Sequence, residues 1–438
     1  MKFLVRFSIF IIAICQINFC ADHFKYASKS LGDGYTCTYK ETPELQIEQN
    51  KTPEGGFGYV VNNGRSIDIV TIHGTIETDH PLIRELVESQ IFNRLKKINQ
   101  YGAYEYINNP IGTPNAHVEY TRYHHSLGVL VIIAKYHDKD GVELLKAMIS
   151  GLLHDLSHTP FSHSTDLLLA GGFLGESYQD KTLSSFMKRH GIAQILSKYT
   201  FSVEDILPEN HPIQDQKSPR LCADRIEYNL YAGYKEGHLT YVQRKAILEH
   251  LHFQNGKWYF DNQDAALMFA KISIWNSDHR WGCPDSYMTG LCFSDALVRL
   301  FQLGCITKKQ FDSILGDDDI WQMMASAKDE AICKLVDQIK NPRNYFYLVQ
   351  TSNVTVMDAS CIKGFCKFRG CNPLVGTNLS EAKLLTDINP DFKQVFDAKK
   401  SEMSKGFQIR SNVELNRLTV SGAQIVDSYG ITPVTKKK

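Results

Sequence analysis

The stretch Leu144-Leu-Lys-Ala-Met-Ile-Ser-Gly151-Leu-Leu-His154-Asp155-Leu-Ser-His158-Thr-Pro160-Phe-Ser-His163-Ser-Thr-Asp166 decides the fold. Its apolar side chains, Leu144, Leu145, Met148, Ile149, Leu152, Leu153 and Leu156, recur every three to four residues, the stripe of a helix packed into a core. The helix is expected to stop near Ser157 to Pro160, because proline cannot donate to a helical ladder. Five ionisable or metal-binding side chains crowd into the last thirteen residues: His154, Asp155, His158, His163 and Asp166. A carboxylate beside an imidazole in apolar surroundings costs several kcal/mol unless it is compensated, and a divalent cation compensates it best. Neighbouring residues on a helix point about 100° apart, so His154 and Asp155 share an ion only if it sits in the groove between them. Further donors must then come from elsewhere. The candidates are His125 in Arg122-Tyr-His-His125-Ser-Leu-Gly128 and Asp224 in Cys222-Ala-Asp224-Arg225-Ile-Glu-Tyr228. A bare His-Asp pair is as compatible with an ordinary hydrogen-bonded core pair, so the metal reading rests on the whole set.

Outward from this stretch, the periodicity is helical almost throughout from Pro81 to about Lys340. After Asn341-Pro342 it gives way to alternating and β-branched residues (Tyr345, Tyr347, Val349; Val354, Val356), then Gly- and Cys-containing turns, then a run rich in Thr, Val and Ile at Thr419 to Thr432. Residues 22–65 carry loop signals, Gly32-Asp33-Gly34, Gly55-Gly56 and Asn62-Asn63-Gly64, and read as an irregular arm with short strands at most. Lys2 and Arg6 followed by the apolar Phe7 to Cys15 have the shape of a secretory signal peptide over residues 1–21, which implies a secreted or periplasmic protein; a cytoplasmic or membrane-anchored one is the alternative. The expected organisation is therefore a leader (1–21), an arm (22–65), a helical body (66–340) and a mixed α/β region (341–438), mostly α overall.

The 438 residues carry 48 Lys+Arg against 48 Asp+Glu. That balance, with 43% hydrophobic residues, excludes a disordered chain and leaves no global positive charge for duplex nucleic acid. No later segment has the ~20 apolar residues of a transmembrane helix. Export would place the nine cysteines beyond the leader in an oxidising compartment, with Cys361, Cys366 and Cys371 close enough in sequence to pair. No C-x-x-C spacing points to a structural zinc ribbon.

The order of the motifs resembles a known family. His125, then His154-Asp155 twenty-nine residues on, then Asp224 seventy residues after His154, is similar to the H…HD…D pattern of the HD-domain metal-dependent phosphohydrolases. Ile72-His-Gly74, Phe92 to Gln100, Arg122 to Gly128, His154 to His163 and Asp224 to Tyr228 occur in the order of the dGTPase-like branch, which includes the SAM-and-HD-domain dNTP triphosphohydrolases. Asp317-Asp-Asp-Ile-Trp321 looks like that family's later helical segment. The resemblance covers roughly residues 66 to 340 and implies an all-helical core.

It further implies one divalent metal ion held by His125, His154, Asp155 and Asp224. Two imidazoles and two carboxylates suit Mn, Fe, Ni, Zn or Mg without selecting among them. His158 and His163 match positions that contact or protonate phosphates. Arg122, Arg225 and Tyr228 match positions that grip a phosphate tail, and Gln100 one that touches a nucleoside. The family's catalytic His falls on Tyr178, while its acidic partner is kept as Asp166. A tyrosine, with a reference pKa near ~10, is a weaker general acid at neutral pH than an imidazole. The Asp that reads a sugar hydroxyl corresponds to Ala232. The implied activity is hydrolysis of a small phosphorylated substrate, a nucleotide and most specifically a (d)NTP, by a protein that assembles as a homo-oligomer. A phosphodiesterase or phosphatase acting on a non-nucleotide ester, and a nucleotide-binding protein that has lost turnover, stay open as alternatives.

Overall fold

A computed structural model of the chain describes residues 26–42, 57–108, 119–165, 178–313, 315–348 and 361–412. Strands β1 (Tyr26–Gly32), β2 (Tyr35–Lys40), β3 (Gly58–Asn62), β4 (Ile67–Thr71) and β5 (Gly74–Thr78) form an antiparallel sheet in the order β1-β2-β5-β4-β3. Side chains two apart share a face, and Leu31, Cys37, Tyr39, Ile67, Ile69 and Ile76 on the inner face are buried. The turn between β4 and β5 needs glycine: Gly74 has φ +139°, and a Cβ there would lie 2.3 Å from the Tyr39 ring. Tyr39 uses that approach to donate its hydroxyl to the His73 carbonyl at 3.0 Å.

The sheet corrects the expectation of an irregular arm over residues 22–65. Gly32, Gly34 and Gly64 do mark turns, but these are the turns that join β1 to β2 and β3 to β4 as hairpins, and β2 then pairs with β5, Thr38 opposite Glu77. Only the pairing of β2 with β5 joins distant segments, and local turn signals carry no information about it.

The body is helical, as expected: α1 (Pro81–Glu88), α2 (Arg122–Tyr136), α3 (Val142–Leu153), α4 (Tyr178–Arg189), α5 (Ala223–Lys235), α6 (Tyr241–Glu249) and α7 (Gln263–Asn276). Every residue of α2 from Arg122 to Ala134 is buried between the sheet, α3 and α5. Such enclosure overrides the weak helix propensity of its Val129, Val131, Ile132 and Ile133. The hairpin β6 (Leu251–Gln254) and β7 (Lys257–Phe260) interrupts the helices. A second layer, α8 (Pro284–Gln302), α9 (Asp317–Ala325) and α10 (Glu330–Lys340), closes around Phe293, Ile320, Met324 and Ile339.

The C-terminal region is mixed α/β, as expected, and woven into the body. β8 (Phe346–Leu348), β9 (Cys361–Gly364), β10 (Leu374–Val375), β11 (Lys383–Leu384), α11 (Pro390–Lys405) and β12 (Phe407–Ser411) follow one another. β10 runs parallel to β7, with Leu374 opposite Tyr259, and β12 pairs with both β8 and β9. Tyr345 closes a one-turn helix instead of opening a strand. The leader, Val349, Val354, Val356, Asp166 and the run Thr419 to Thr432 lie outside the described residues. Cys361, Cys366 and Cys371 are free thiols, as are all nine cysteines among the described residues. No helix among those residues is long and apolar enough to cross a membrane.

Candidate metal centre

Helix α3 ends earlier than its apolar stripe indicates. Its last residue is Leu153, and residues 154–157 are a tight turn held by Leu156 N donating to Leu153 O at 3.0 Å and His158 N to Asp155 O at 3.1 Å. Asp155 therefore leaves the helical path, which frees it from the 100° offset and lets it turn toward the same point as His154.

All four expected ligands converge there. His125 Nε2 lies 3.1 Å from His154 Nε2, 3.0 Å from Asp224 Oδ1 and 3.6 Å from Asp155 Oδ2. His154 Nε2 lies 3.5 Å from Asp155 Oδ1 and 3.7 Å from Asp224 Oδ1. His125, His154 and Asp155 are buried, and Asp224, in the first turn of α5, keeps 31% of its side chain exposed at the mouth.

The ring tautomers show what this cluster fits. His125 places Nδ1 2.5 Å from the Glu227 carboxylate, and His154 places Nδ1 2.7 Å from the Gly151 carbonyl. Both partners only accept, so both Nδ1 atoms carry a hydrogen and both Nε2 atoms face inward. Two Nε2 atoms 3.1 Å apart, beside two carboxylates, call for a positive charge between them, a proton or a metal cation. Burial opposes a positive charge on His125, but Glu227, Asp224 and Asp155 outweigh it and push its pKa up to about 10, so without an ion Nε2 holds a proton against Asp224, and a metal cation takes that proton's place. Burial also opposes the charge on Asp155, yet Arg122, His154 and His158 hold its carboxyl well below the usual range. The donor set fits a divalent ion.

Glu227 was not singled out from sequence, and it is the best-connected carboxylate of the site. Fully buried one turn after Asp224, it accepts from His125, from the Tyr120 hydroxyl at 2.6 Å and from His73 Nε2 at 3.1 Å. Its spacing from Asp224 was the available signal. Gly128 on α2 leaves room for it: a Cβ there would lie 2.5 Å from Glu227 Oε1 and 2.7 Å from its Cγ. Gly128→Ala is accordingly expected to displace Glu227, lowering stability by about 1–3 kcal/mol and weakening metal retention, as thermal melts and metal analysis of the variant would show.

The other sequence candidates fall around this cluster at different distances. Arg122 is buried and donates from Nη1 to Asp155 Oδ2 at 2.7 Å and from Nε to Ser162 Oγ at 3.0 Å. His158 Nε2 lies 3.3 Å from Asp155 Oδ1, and its ring centre is 5.1 Å from that of half-buried His163. Burial, then the Arg122 charge, lower the His158 pKa to about 3, so it is neutral at pH 7. The Tyr228 ring lies 6.4 Å from His125 and 5.1 Å from Trp281. Arg225 is anchored by the Arg220 carbonyl at 2.9 Å, with Asp215 4.0 Å away. Gln100 holds its backbone against Tyr120, and its buried Oε1 has no protein partner.

Tyr178 opens α4 half-buried, and it is the next residue, Gln179, that reaches the cluster. Gln179 Nε2 donates to the His154 carbonyl at 2.8 Å and to Asp155 Oδ1 at 3.3 Å. The C-terminal region brings further positive charge that the sequence did not reveal. Lys367 has its pKa lowered by partial burial and then by Arg369 and Arg225, against Asp180 and Asp215, which raise it.

A two-histidine, two-carboxylate pocket at the end of a buried helix defines a helical metal-centre domain of the His-Asp type. Residues 122–205 match the HD domain family model. The chain is 32% identical over 193 residues to an uncharacterised protein of Bacillus subtilis, YdhJ, and 24% identical over 279 residues to the metal-dependent phosphohydrolase cns2 of Cordyceps militaris. These alignments cover 44% and 61% of this chain, and 55% and 76% of those relatives. A crystal structure of a phosphohydrolase from Bacteroides thetaiotaomicron superimposes with a TM-score of 0.58 at 14% identity, over 81% of this chain and 100% of that one. Residues 122–205 thus carry an HD domain, and the chain as a whole is similar to metal-dependent phosphohydrolases.

Proposed function

We propose that the protein hydrolyses a phosphate ester or anhydride of a nucleotide, with (d)NTPs as the leading substrates. The observation that carries this reading is the pair of inward-facing Nε2 atoms flanked by Asp155 and Asp224, with Arg122 and His158 against Asp155 and His163 behind His158. A cation-shaped hole rimmed by cationic and neutral donors suits an anionic phosphoryl group. Bound at His125, His154, Asp155 and Asp224, a divalent ion supplies Lewis-acid activation of the phosphoryl group and of water.

The chain's own side chains do the rest. Arg122 uses two donors on Asp155 and Ser162 and keeps others of its five for a phosphate oxygen. His158, neutral and buried, donates or accepts a hydrogen bond without adding a standing charge that would compete with the ion. His163, with Asp166 and Tyr178 near it in sequence, is the proposed route for a proton to the leaving oxygen. Arg225, with Lys367 and Arg369 nearby, favours a substrate with more than one phosphate over a monoester. Gln100 offers an unpaired acceptor to a base or sugar. A second reading, a non-nucleotide phosphate ester, is favoured by Ala232, whose fully buried methyl offers nothing to a sugar hydroxyl.

Incubation with dNTPs, NTPs and simple aryl phosphate esters in Mn, Mg or Fe, with released phosphate, pyrophosphate and triphosphate measured, tests this. The expected outcome is turnover of dNTPs that EDTA abolishes and added metal restores. Turnover of aryl esters alone would select the second reading, and tightly bound metal with no turnover of any compound would contradict both.

A further inference from the structure

One carboxylate that bonds none of the four candidate ligands ties together two segments that carry proposed substrate-binding residues. Asp317, the first residue of α9, is fully buried. Its Oδ1 accepts from Phe161 N at 2.6 Å and its Oδ2 from Asn99 N at 2.9 Å, reaching back 156 and 218 residues. Phe161 and Ser162 lie between His158 and His163, and Asn99 directly precedes Gln100.

Both Phe161 and Ser162 have left-handed backbones, with φ of +61° and +49°. Such conformations cost non-glycine residues on the order of 1–2 kcal/mol each and persist only where the surroundings over-determine them. Three constraints do so here. The Phe161 ring stacks on Phe293 at 3.9 Å and on Tyr106 at 5.2 Å. Ser162 Oγ donates to Asn99 O at 2.9 Å while accepting from Arg122 Nε at 3.0 Å. The Asp317 carboxylate then closes the ring from Phe161 through Ser162 and Asn99 back to itself.

Resting on the phosphohydrolase reading above, we propose that Asp317 is a positioning residue: it fixes the strained turn between His158 and His163 and the Asn99-Gln100 segment in one relative geometry for the substrate, from the second helical layer. It touches neither ion nor substrate. Its effect travels through two backbone amides, so its removal loosens the substrate-binding segments and spares the metal ligands, which hang on α2, α5 and the turn after α3.

Asp317→Asn keeps the shape, but its amide nitrogen cannot accept, so one of the two buried N–H groups loses its partner. Two measurements on the full chain test the proposal. In hydrogen–deuterium exchange, the Phe161 and Asn99 amides of the unaltered protein should be protected like α3, although both lie outside α-helices and strands; exchange at loop rates would overturn the proposal without any variant. In Asp317→Asn, exchange should quicken at residues 98–100 and 159–163 alone, metal content should be unchanged, and affinity for inorganic phosphate, read by calorimetry, should fall on the order of tenfold to a hundredfold. Unchanged exchange and phosphate affinity, or loss of metal and of protection throughout the chain, would overturn it. Should the unaltered protein bind no phosphate, the phosphohydrolase reading fails, while the exchange pattern still judges Asp317.

Discussion

His154→Ala is expected to yield a folded protein that retains no metal and whose kcat is at least about 10³-fold lower, a loss matching the several kcal/mol that a Lewis-acid ion supplies. The reasoning is structural. His154 sits past the end of α3 and commits Nδ1 only to the Gly151 carbonyl, so truncation costs the fold about one hydrogen bond, ~1 kcal/mol. It removes one of the two converging nitrogens outright. Asp155 is a poorer probe, because it also neutralises buried Arg122 at 2.7 Å. Stripping that carboxylate leaves a buried guanidinium unpaired, a loss of about 3–5 kcal/mol that would confuse unfolding with metal loss. Circular dichroism, metal analysis and turnover on His154→Ala separate the two. Native-like spectra with undiminished turnover would refute the assignment of His154.

Glu227→Gln is the second large effect expected, and its logic lies behind the ligands. Glu227 fixes the His125 tautomer and receives two further donors, from Tyr120 and His73. A glutamine keeps one acceptor, but its amide N–H groups face Nδ1–H or a hydroxyl that needs an acceptor, and the negative charge that draws a cation to His125 disappears. Loss of such an outer carboxylate typically lowers metal affinity 10–100-fold, so a competitive chelator should strip the variant at correspondingly lower concentration. Equal chelator sensitivity in both proteins would show that Glu227 is only a packing residue.

The candidate ligands were legible in the sequence because the order His125, His154-Asp155, Asp224 resembles the HD-domain pattern. His154-Asp155 alone, local as it is, is as compatible with an ordinary core pair. What surrounds them was not local. Glu227 looks like any helical glutamate until Tyr120 and His73, 107 and 154 residues away, are found bonded to it. Gln179 was overlooked because attention fell on Tyr178; the start of α4 decides which of the two faces the cluster. The geometry of His154 and Asp155 also differed from a helical reading, since the apolar stripe runs to Leu156 while the helix stops at Leu153. Burial of Leu156 by a turn mimics one more turn of helix. The helical body and the mixed C-terminal region followed from periodicity, whereas β1 to β3 were missed because their Gly and Asn signals were read as loop rather than as hairpin turns, and the pairing of β2 with β5 is non-local. The segment that carries Arg369 is held by its backbone, Arg369 N donating to Ser277 Oγ and Cys371 N to Ser273 Oγ, contacts that no turn signal announces.

The central claim is that His125, His154, Asp155 and Asp224 form a metal site. Elemental analysis of the full-length protein, purified without added chelator and compared with His154→Ala prepared in parallel, tests it most directly. One divalent ion per chain in the former and none in the latter is the predicted result. A native protein that holds no Mn, Fe, Ni, Zn or Mg, even after incubation with each, would contradict the account.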